Sequence, residues 1–226
     1  MALLNFTPEQ QAQVTNAVAE AERTTDGEIV TIVTQSSDAY HDVMLHWAVA
    51  AMLLVAGLYA LFPTQVEAKL ALFHGGWLAK VEIAEVLVLL MAAQAIIFLA
   101  VRLLLAPLRL RMLVTPGRTK TRRVRRRALQ FFKASAEKRT QGRVGILLYV
   151  SLAEHRAEII ADEAIHSQVA PERWGEAMAV LVDGLKRGKA ADGMAGAVGR
   201  IALVLAETFP KTAADVNELP DRLIEL

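Results

Sequence analysis

The sequence contains no cysteine among its 226 residues, so disulfide bonds and thiolate metal sites are excluded. It also contains no internal repeat and no low-complexity segment. The first 30 residues lack the apolar core of a signal peptide, and no acidic residue occurs between Glu85 and Glu137. An internal segment is therefore expected to direct the chain to its compartment, and the stretch without acids is strongly basic.

Two long apolar segments, residues 43–62 and 83–106, are the main feature that is present. Each supplies the roughly 20 apolar residues that a helix needs to cross a hydrocarbon core of about 30 Å. The hydrophobic fraction of 54% and the mean hydropathy of +0.33 are high for a soluble protein. We predict a transmembrane helical hairpin over residues 41–108, with its first segment acting as the insertion signal.

A dense basic run over residues 109–127 follows the second apolar segment at once. Cytoplasmic flanks of membrane segments carry an excess of lysine and arginine, whereas the loop over residues 63–82 balances Lys69 and Lys80 against Glu67 and Glu82. The pattern predicts a bacterial inner-membrane protein with two spans and with both termini in the cytoplasm.

The same run is a candidate surface for anionic lipid headgroups, since each basic residue near a membrane contributes about 1 kcal/mol. A topology signal would use the same residues. Nucleic acid is not expected as a partner, because the run lacks the interleaved aromatic side chains of a base-stacking surface. The candidate lipid-binding residues are Arg118, Lys120, Arg122, Arg123, Arg125, Arg126 and Arg127.

Outside the hairpin, helical and strand-like patterns alternate. A capping-box pattern at Thr7 and Gln10 predicts the start of the first helix, and β-branched or apolar runs predict three strands. Strands are predicted over residues 28–35, 144–151 and 157–161, and further helices over residues 120–140, 171–187 and 191–208.

This order predicts an α/β fold, in which helices flank a small central β-sheet and a two-helix transmembrane hairpin interrupts the domain. The domain is discontinuous and comprises residues 1–37 plus 120–226. Residues 41–108 form the hairpin, and residues 109–127 form a basic juxtamembrane segment.

Candidate metal ligands are few. Asp162 and Glu163 follow a predicted strand, at a place where α/β folds commonly bind ligands, and Glu28 begins a neighbouring strand. These carboxylates suit a hard cation, but for Asp162 and Glu163 a charge interaction at the start of a helix is the favoured interpretation. Ser151 near His155 lacks the elbow motif and the orienting acid of a catalytic triad, so no catalytic residue is assigned.

Several segments resemble the TPM domain, a family named for a thylakoid lumen protein, a photosystem II repair protein and a nematode receptor-associated protein. The resemblance covers about residues 5–37 and 120–226. It rests on Thr7-Pro8-Glu9, on residues 25–30 (TDGEIV) and on residues 145–151 (GILLYVS), which lead through Glu154 and Arg156 to Asp162. The membrane-anchored bacterial branch is indicated by Trp174, Asp192-Gly193, Phe209-Pro210 and residues 217–221 (NELPD).

The resemblance implies a central sheet between helices, and some members of the family are credited with weak acid phosphatase activity or calcium binding. In this sequence the aspartate-rich loops of such sites are sparse, and Asp162 is the clearest acid that remains. The function expected first is therefore a non-catalytic interaction or scaffold module at the cytoplasmic membrane face. The alternative is a calcium- or magnesium-dependent phosphatase centred on Asp162.

The partners that follow from this interpretation are anionic membrane lipids and a membrane or cytosolic protein, and a second copy of the chain is retained as a candidate. No cofactor is required for the scaffold role. Calcium is a candidate cofactor only for the alternative function, the metal-dependent phosphatase. A transporter or channel is disfavoured, because two spans with a single arginine near one end offer no polar pathway unless the protein oligomerises.

Overall fold

A computed structural model describes residues 6–65, 68, 83–135, 144–213, 219 and 221–226. The chain divides into two compact units. The first comprises residues 1–38 and 116–226, and the second comprises residues 39–115. The chain therefore leaves the first unit after 38 residues and returns to it at Pro116.

A four-stranded sheet forms the centre of the first unit, with strand order β3-β2-β1-β4. Strands β1 and β2 are parallel, with Glu28 opposite Gly145, and the short β4 is parallel to β1 on its other side. Strands β2 and β3 form an antiparallel hairpin. The strands are β1 (Glu28–Thr34), β2 (Gly145–Ser151), β3 (Arg156–Ala161) and β4 (Ile224–Glu225).

Both faces of this sheet are covered. Because side chains alternate along a strand, Ile29 and Val33 of β1 point into one core, and Val30 and Ile32 point into another. All seven residues of β1 and of β2 are buried, as expected for central strands of an α/β sheet.

Five α-helices complete the described part of the first unit. Helix α1 begins with the capping box that the sequence predicts, in which the Gln10 amide N–H donates to the Thr7 hydroxyl and the Thr7 N–H to the Gln10 side chain. Helix α5 packs on the second core, and α1, α6, α7 and α8 contribute to the first. The helices are α1 (Pro8–Glu22), α5 (Gly117–Ser135), α6 (Glu163–Gln168), α7 (Gly175–Lys186) and α8 (Ala190–Thr208).

The second unit contains α2 (His41–Leu61), α3 (Ile83–Leu104) and the short α4 (Leu108–Val114). Helices α2 and α3 pack against each other, and both are long and apolar enough to cross a membrane by length and composition. Arg111 of α4 is buried, and its guanidinium donates to the carbonyl oxygens of Ala39, Leu105 and Ala106. This side chain therefore holds the two ends of the hairpin together.

The predicted fold class is confirmed: a small sheet is flanked by helices. Two apolar helices follow β1 and precede β2 along the chain. The structure adds α4 and β4, which the sequence did not predict, whereas α6 begins after Asp162, where the sequence indicated the start of a helix. The predicted helix over residues 171–187 begins instead as a 3-10 turn (Pro171–Trp174) before α7. The predicted end of the helix over residues 120–140 lies outside the described residues.

Candidate functional site

Helix α5 carries a dense basic face. Val124, Ala128 and Phe132 recur every four residues and are buried against the sheet, so the arginines between them point outwards. Of the seven candidate lipid-binding residues, Lys120 and Arg123 are half-buried, and the others are exposed: Arg118, Arg122, Arg125, Arg126 and Arg127.

Part of this basic face is used inside the domain. Asp38, after β1, forms ion pairs with Arg123 and Arg126. Its Oδ2 atom lies 3.3 Å from a guanidinium nitrogen of Arg123 and 3.5 Å from one of Arg126. The guanidinium of Arg127 lies 4.6 Å from the centre of the Phe131 ring, and that ring stacks on Tyr149. These three arginines therefore help to fix α5 on the sheet and are only partly available to a ligand.

The remaining cations are more available. Within the described part of the chain, no ion pair joins Arg118, Lys120 or Arg122 to an acidic side chain. Arg125 acts on Glu158 of β3, whose pKa is raised by burial and lowered in part by the nearby guanidinium. Arg118, Arg122 and Arg125 follow one another at spacings of three and four, so they share one side of the helix.

The candidate metal ligands do not form one group. Asp162 ends β3, but β3 is antiparallel to β2, so Asp162 lies at the amino ends of the parallel strands rather than at their carboxyl ends. There it accepts a hydrogen bond of 3.1 Å from the Gly145 N–H. Glu28, at the same edge, is buried and accepts from the Leu219 N–H at 3.2 Å, whereas Glu163 is exposed.

In the described part of the chain, Asp162 and Glu28 are each engaged by a different backbone group. The described residues contain no group of three or more histidine, aspartate or glutamate side chains positioned to hold a metal. A hard cation needs several converging oxygen ligands, whereas Asp162 and Glu28 each hold a separate backbone N–H. A groove of about 290 Å³ elsewhere on the unit is lined by other residues: Phe6, Gln10, Leu152, His155, Leu185, Gly188, Ala190 and Ala191.

A cluster of carboxyl groups, formed by buried Glu22 and Glu28 with half-buried Asp221, lies at this edge and was not predicted. Glu22 accepts a hydrogen bond of 2.9 Å from the Ile29 N–H and is only 7% exposed. Burial raises the pKa of Glu22 to about 8, the Ile29 N–H opposes this rise, and the charges of Glu28 and Asp221 add to it. Glu22 is the last residue of α1. A glutamate at the end of an amphipathic helix is usually solvated, so its burial could not be predicted from the sequence.

A second polar network closes the opposite edge, at the carboxyl ends of β1 and β2. The Ser151 hydroxyl and the Ser37 N–H both donate to the buried carboxyl group of Glu154, the latter at 2.8 Å. The Ser37 hydroxyl lies 3.0 Å from the Tyr149 hydroxyl. The Ser151 hydroxyl therefore helps to hold the turn between β2 and β3.

Comparisons with known proteins identify the domain. Residues 108–204 match the family model of the TPM domain. The NMR structure of the BA42 protein from the psychrophilic bacterium Bizionia argentinensis has a similar fold, with a TM-score of 0.57 and 15% sequence identity over 100% of both chains. No curated protein matches the sequence. The matched segment runs from α4 into α8 and includes β2 and β3 of the sheet, so residues 108–204 carry the similarity to the TPM domain.

Proposed function

We propose that this chain is a bacterial inner-membrane protein whose TPM domain works as a non-catalytic interaction or scaffold module at the cytoplasmic face. In this proposal α5 binds anionic lipid headgroups, and the rest of the domain is left to contact a protein partner. The observation that carries the proposal is the row of exposed cations at Arg118, Arg122 and Arg125, which runs beside the sheet-facing, buried side of α5.

The order of segments along the chain supports this assignment. Helix α5 begins 13 residues after the end of α3, so its cations follow an apolar segment within the distance over which basic residues influence topology. A compartment reporter fused after Leu226 is expected to report the cytoplasm, and one placed within residues 69–82 to report the outside. A periplasmic reporter signal after Leu226 would contradict the proposed orientation.

Lipid binding can be measured with a single label, because the natural chain has no cysteine. Thr121 is exposed on α5, so a fluorophore on Thr121→Cys reports how near this helix lies to headgroup quenchers in nanodiscs. We expect stronger quenching when phosphatidylglycerol is added to phosphatidylcholine, and a loss of this difference at high salt. Changing Arg118, Arg122 and Arg125 to glutamine should abolish it, since three such charges contribute about 3 kcal/mol.

The matched control changes Arg173, Arg187 and Arg200 to glutamine. These arginines are also exposed, but they lie on the 3-10 turn, α7 and α8, which pack on the other face of the sheet, and each is paired with an acid. The control protein carries the same net charge as the α5 variant. Equal loss of quenching in both variants would show that net charge, rather than the basic face of α5, attracts the lipid.

The metal-dependent phosphatase remains the alternative to this proposal. Its support is the family resemblance, together with the position of Asp162 and Glu28 at one edge of the sheet. Purified protein that hydrolyses a phosphomonoester, and loses that turnover with Asp162→Asn, would favour the phosphatase over the scaffold. A rise in melting temperature with millimolar calcium or magnesium would point the same way.

A further inference from the structure

Gln94 is a polar side chain at the centre of the most apolar helix. Helix α3 has 22 residues, from Ile83 to Leu104, and none of them is buried. At a rise of 1.5 Å per residue, Gln94 lies about 16 Å from either end. If α3 crosses a membrane, its amide group is at the midplane, too far from both headgroup layers for the side chain to reach them.

The side chain of Gln94 lines an open groove of about 460 Å³ together with Met52, Met91, Ala95, Phe98 and Leu99. Every other group in this lining is apolar. Among the residues that the structure describes, the Gln94 amide has no hydrogen-bond partner. Hydrocarbon chains could fill the groove, but they cannot bond to the amide, and an amide without a partner in an apolar medium costs several kcal/mol.

A second copy of the chain can supply hydrogen-bond partners for the Gln94 amide. A carboxamide has both donors and acceptors, so two glutamines can bond to each other reciprocally. In a parallel dimer with its two-fold axis along the membrane normal, the same residue of each copy lies at the same depth. The small neighbours Ala92, Ala93 and Ala95 allow the close approach that helix contacts in membranes require.

We propose that the hairpin forms a homodimer in the membrane, with the Gln94 amides paired across the two-fold axis and the groove around Gln94 occupied by the partner's α3. This inference rests on the proposed membrane location of the chain. It names the partner of the hairpin, whereas the lipid-binding face of α5 concerns the TPM domain.

The experiment uses the full chain in liposomes, labelled on Ser167→Cys with donor or acceptor fluorophores, and measures energy transfer as the protein is diluted with lipid. Ser167 is exposed in α6, outside the hairpin. We expect transfer that depends on the protein-to-lipid ratio. Gln94→Leu should weaken the dimer roughly 3- to 30-fold, the range measured for polar contacts between membrane helices.

Two further variants separate the amide from the bulk of the side chain. Gln94→Asn keeps the amide and should retain most of the energy transfer. Gln65→Leu makes the same chemical change as Gln94→Leu at an exposed position beyond the end of α2 and should leave the dimer unchanged. Energy transfer that Gln94→Leu does not reduce, or wild-type protein that is monomeric at every lipid ratio, would overturn the inference.

Carbonate extraction of native membranes distinguishes the two levels of failure. Wild-type protein that is released by alkaline carbonate would show that the hairpin does not span the bilayer, and the proposed membrane function would fail together with the dimer. Protein that stays in the membrane but is monomeric would overturn the dimer alone.

Discussion

The fold keeps the carboxyl group of Glu22 protonated near neutral pH. Its pKa is raised from the ordinary 4.5 to about 8, mainly by burial. At a pH between these two pKa values, Glu22 carries a proton in the folded chain but has lost it in the unfolded chain. Unfolding then releases a proton, so the free energy of unfolding falls as the pH rises from about 4.5 to about 8.

Glu22→Gln tests this dependence. Glutamine keeps a carbonyl oxygen for the Ile29 N–H but cannot lose a proton. We expect the variant to unfold at a higher temperature than the wild type at pH 8, with a difference that shrinks towards pH 5. The wild type should lose up to about 1.4 kcal/mol of stability per pH unit at this residue, measured by thermal unfolding across the pH range.

Glu20→Gln is the control, because Glu20 lies on the same helix but is exposed and paired with Arg23. Its pH profile should follow that of the wild type. If Glu22→Gln also follows the wild-type profile, the carboxyl group of Glu22 is ionised in the folded protein and the protonated state inferred here is wrong.

Single-residue roles were the least predictable from sequence. Asp162 was correctly placed after a strand, but which edge of the sheet it occupies depends on the direction of β3, which no local pattern gives. The burial of Glu22 and Glu28 depends on a tail that arrives about 190 residues later along the chain and brings the Leu219 N–H to Glu28. Contacts between residues so far apart in sequence cannot be predicted from local sequence patterns.

At the scale of elements, α7 and α8 approach each other most closely where two glycines meet. A Cβ atom added at Gly184 would lie 2.5 Å from the Gly193 Cα atom, far inside ordinary contact. Gly193, Gly196 and Gly199 recur every three residues within α8, and this spacing inside a helix favours close helix packing over a phosphate-binding loop. The structure places Gly193 and Gly196 against α7, whereas nothing lies within 4 Å of a Cβ at Gly199.

This difference predicts opposite effects for the same substitution. Gly184→Ala should lower the free energy of unfolding by about 1–3 kcal/mol, because the added methyl group forces two backbones apart. Gly199→Ala should raise it by about 0.5–1 kcal/mol, since alanine favours an exposed helix position that glycine disfavours. Chemical denaturation of both variants measures the pair, and a stabilised Gly184→Ala protein would contradict the close contact.

Elements with a strong pattern of their own were predictable, and elements made by tertiary contact were not. The capping box at Thr7, the buried runs of β1 and β2 and the amphipathic pattern of α5 all follow from residues that are near one another in sequence. The two residues of β4 become a strand only because Ile224 pairs with Ile32. The basic character of α4 likewise concealed that Arg111 is buried among backbone carbonyl groups.

At the scale of the whole molecule, the α/β class and the interruption by two apolar helices were predictable, because hydrophobic length and strand–helix alternation are both readable without contacts. The family match over residues 108–204 supports the domain without naming its partner. Partners are recognised by exposed groups of matching chemistry. In the proposals above these groups are the cations of α5, for anionic lipid, and the amide of Gln94, for a second copy of the chain.

The pairing of β1 with β2 sets the order of events during synthesis. Strand β1 ends at Thr34 and its neighbour begins at Gly145, so at about 5–20 residues per second the ribosome needs about 6–20 s to supply the second strand. Both apolar helices leave the ribosome within that interval. If the hairpin enters a membrane as proposed, a chain whose insertion stalls keeps an unpaired β-branched strand exposed, and proteases and chaperones would act on it as on a misfolded protein.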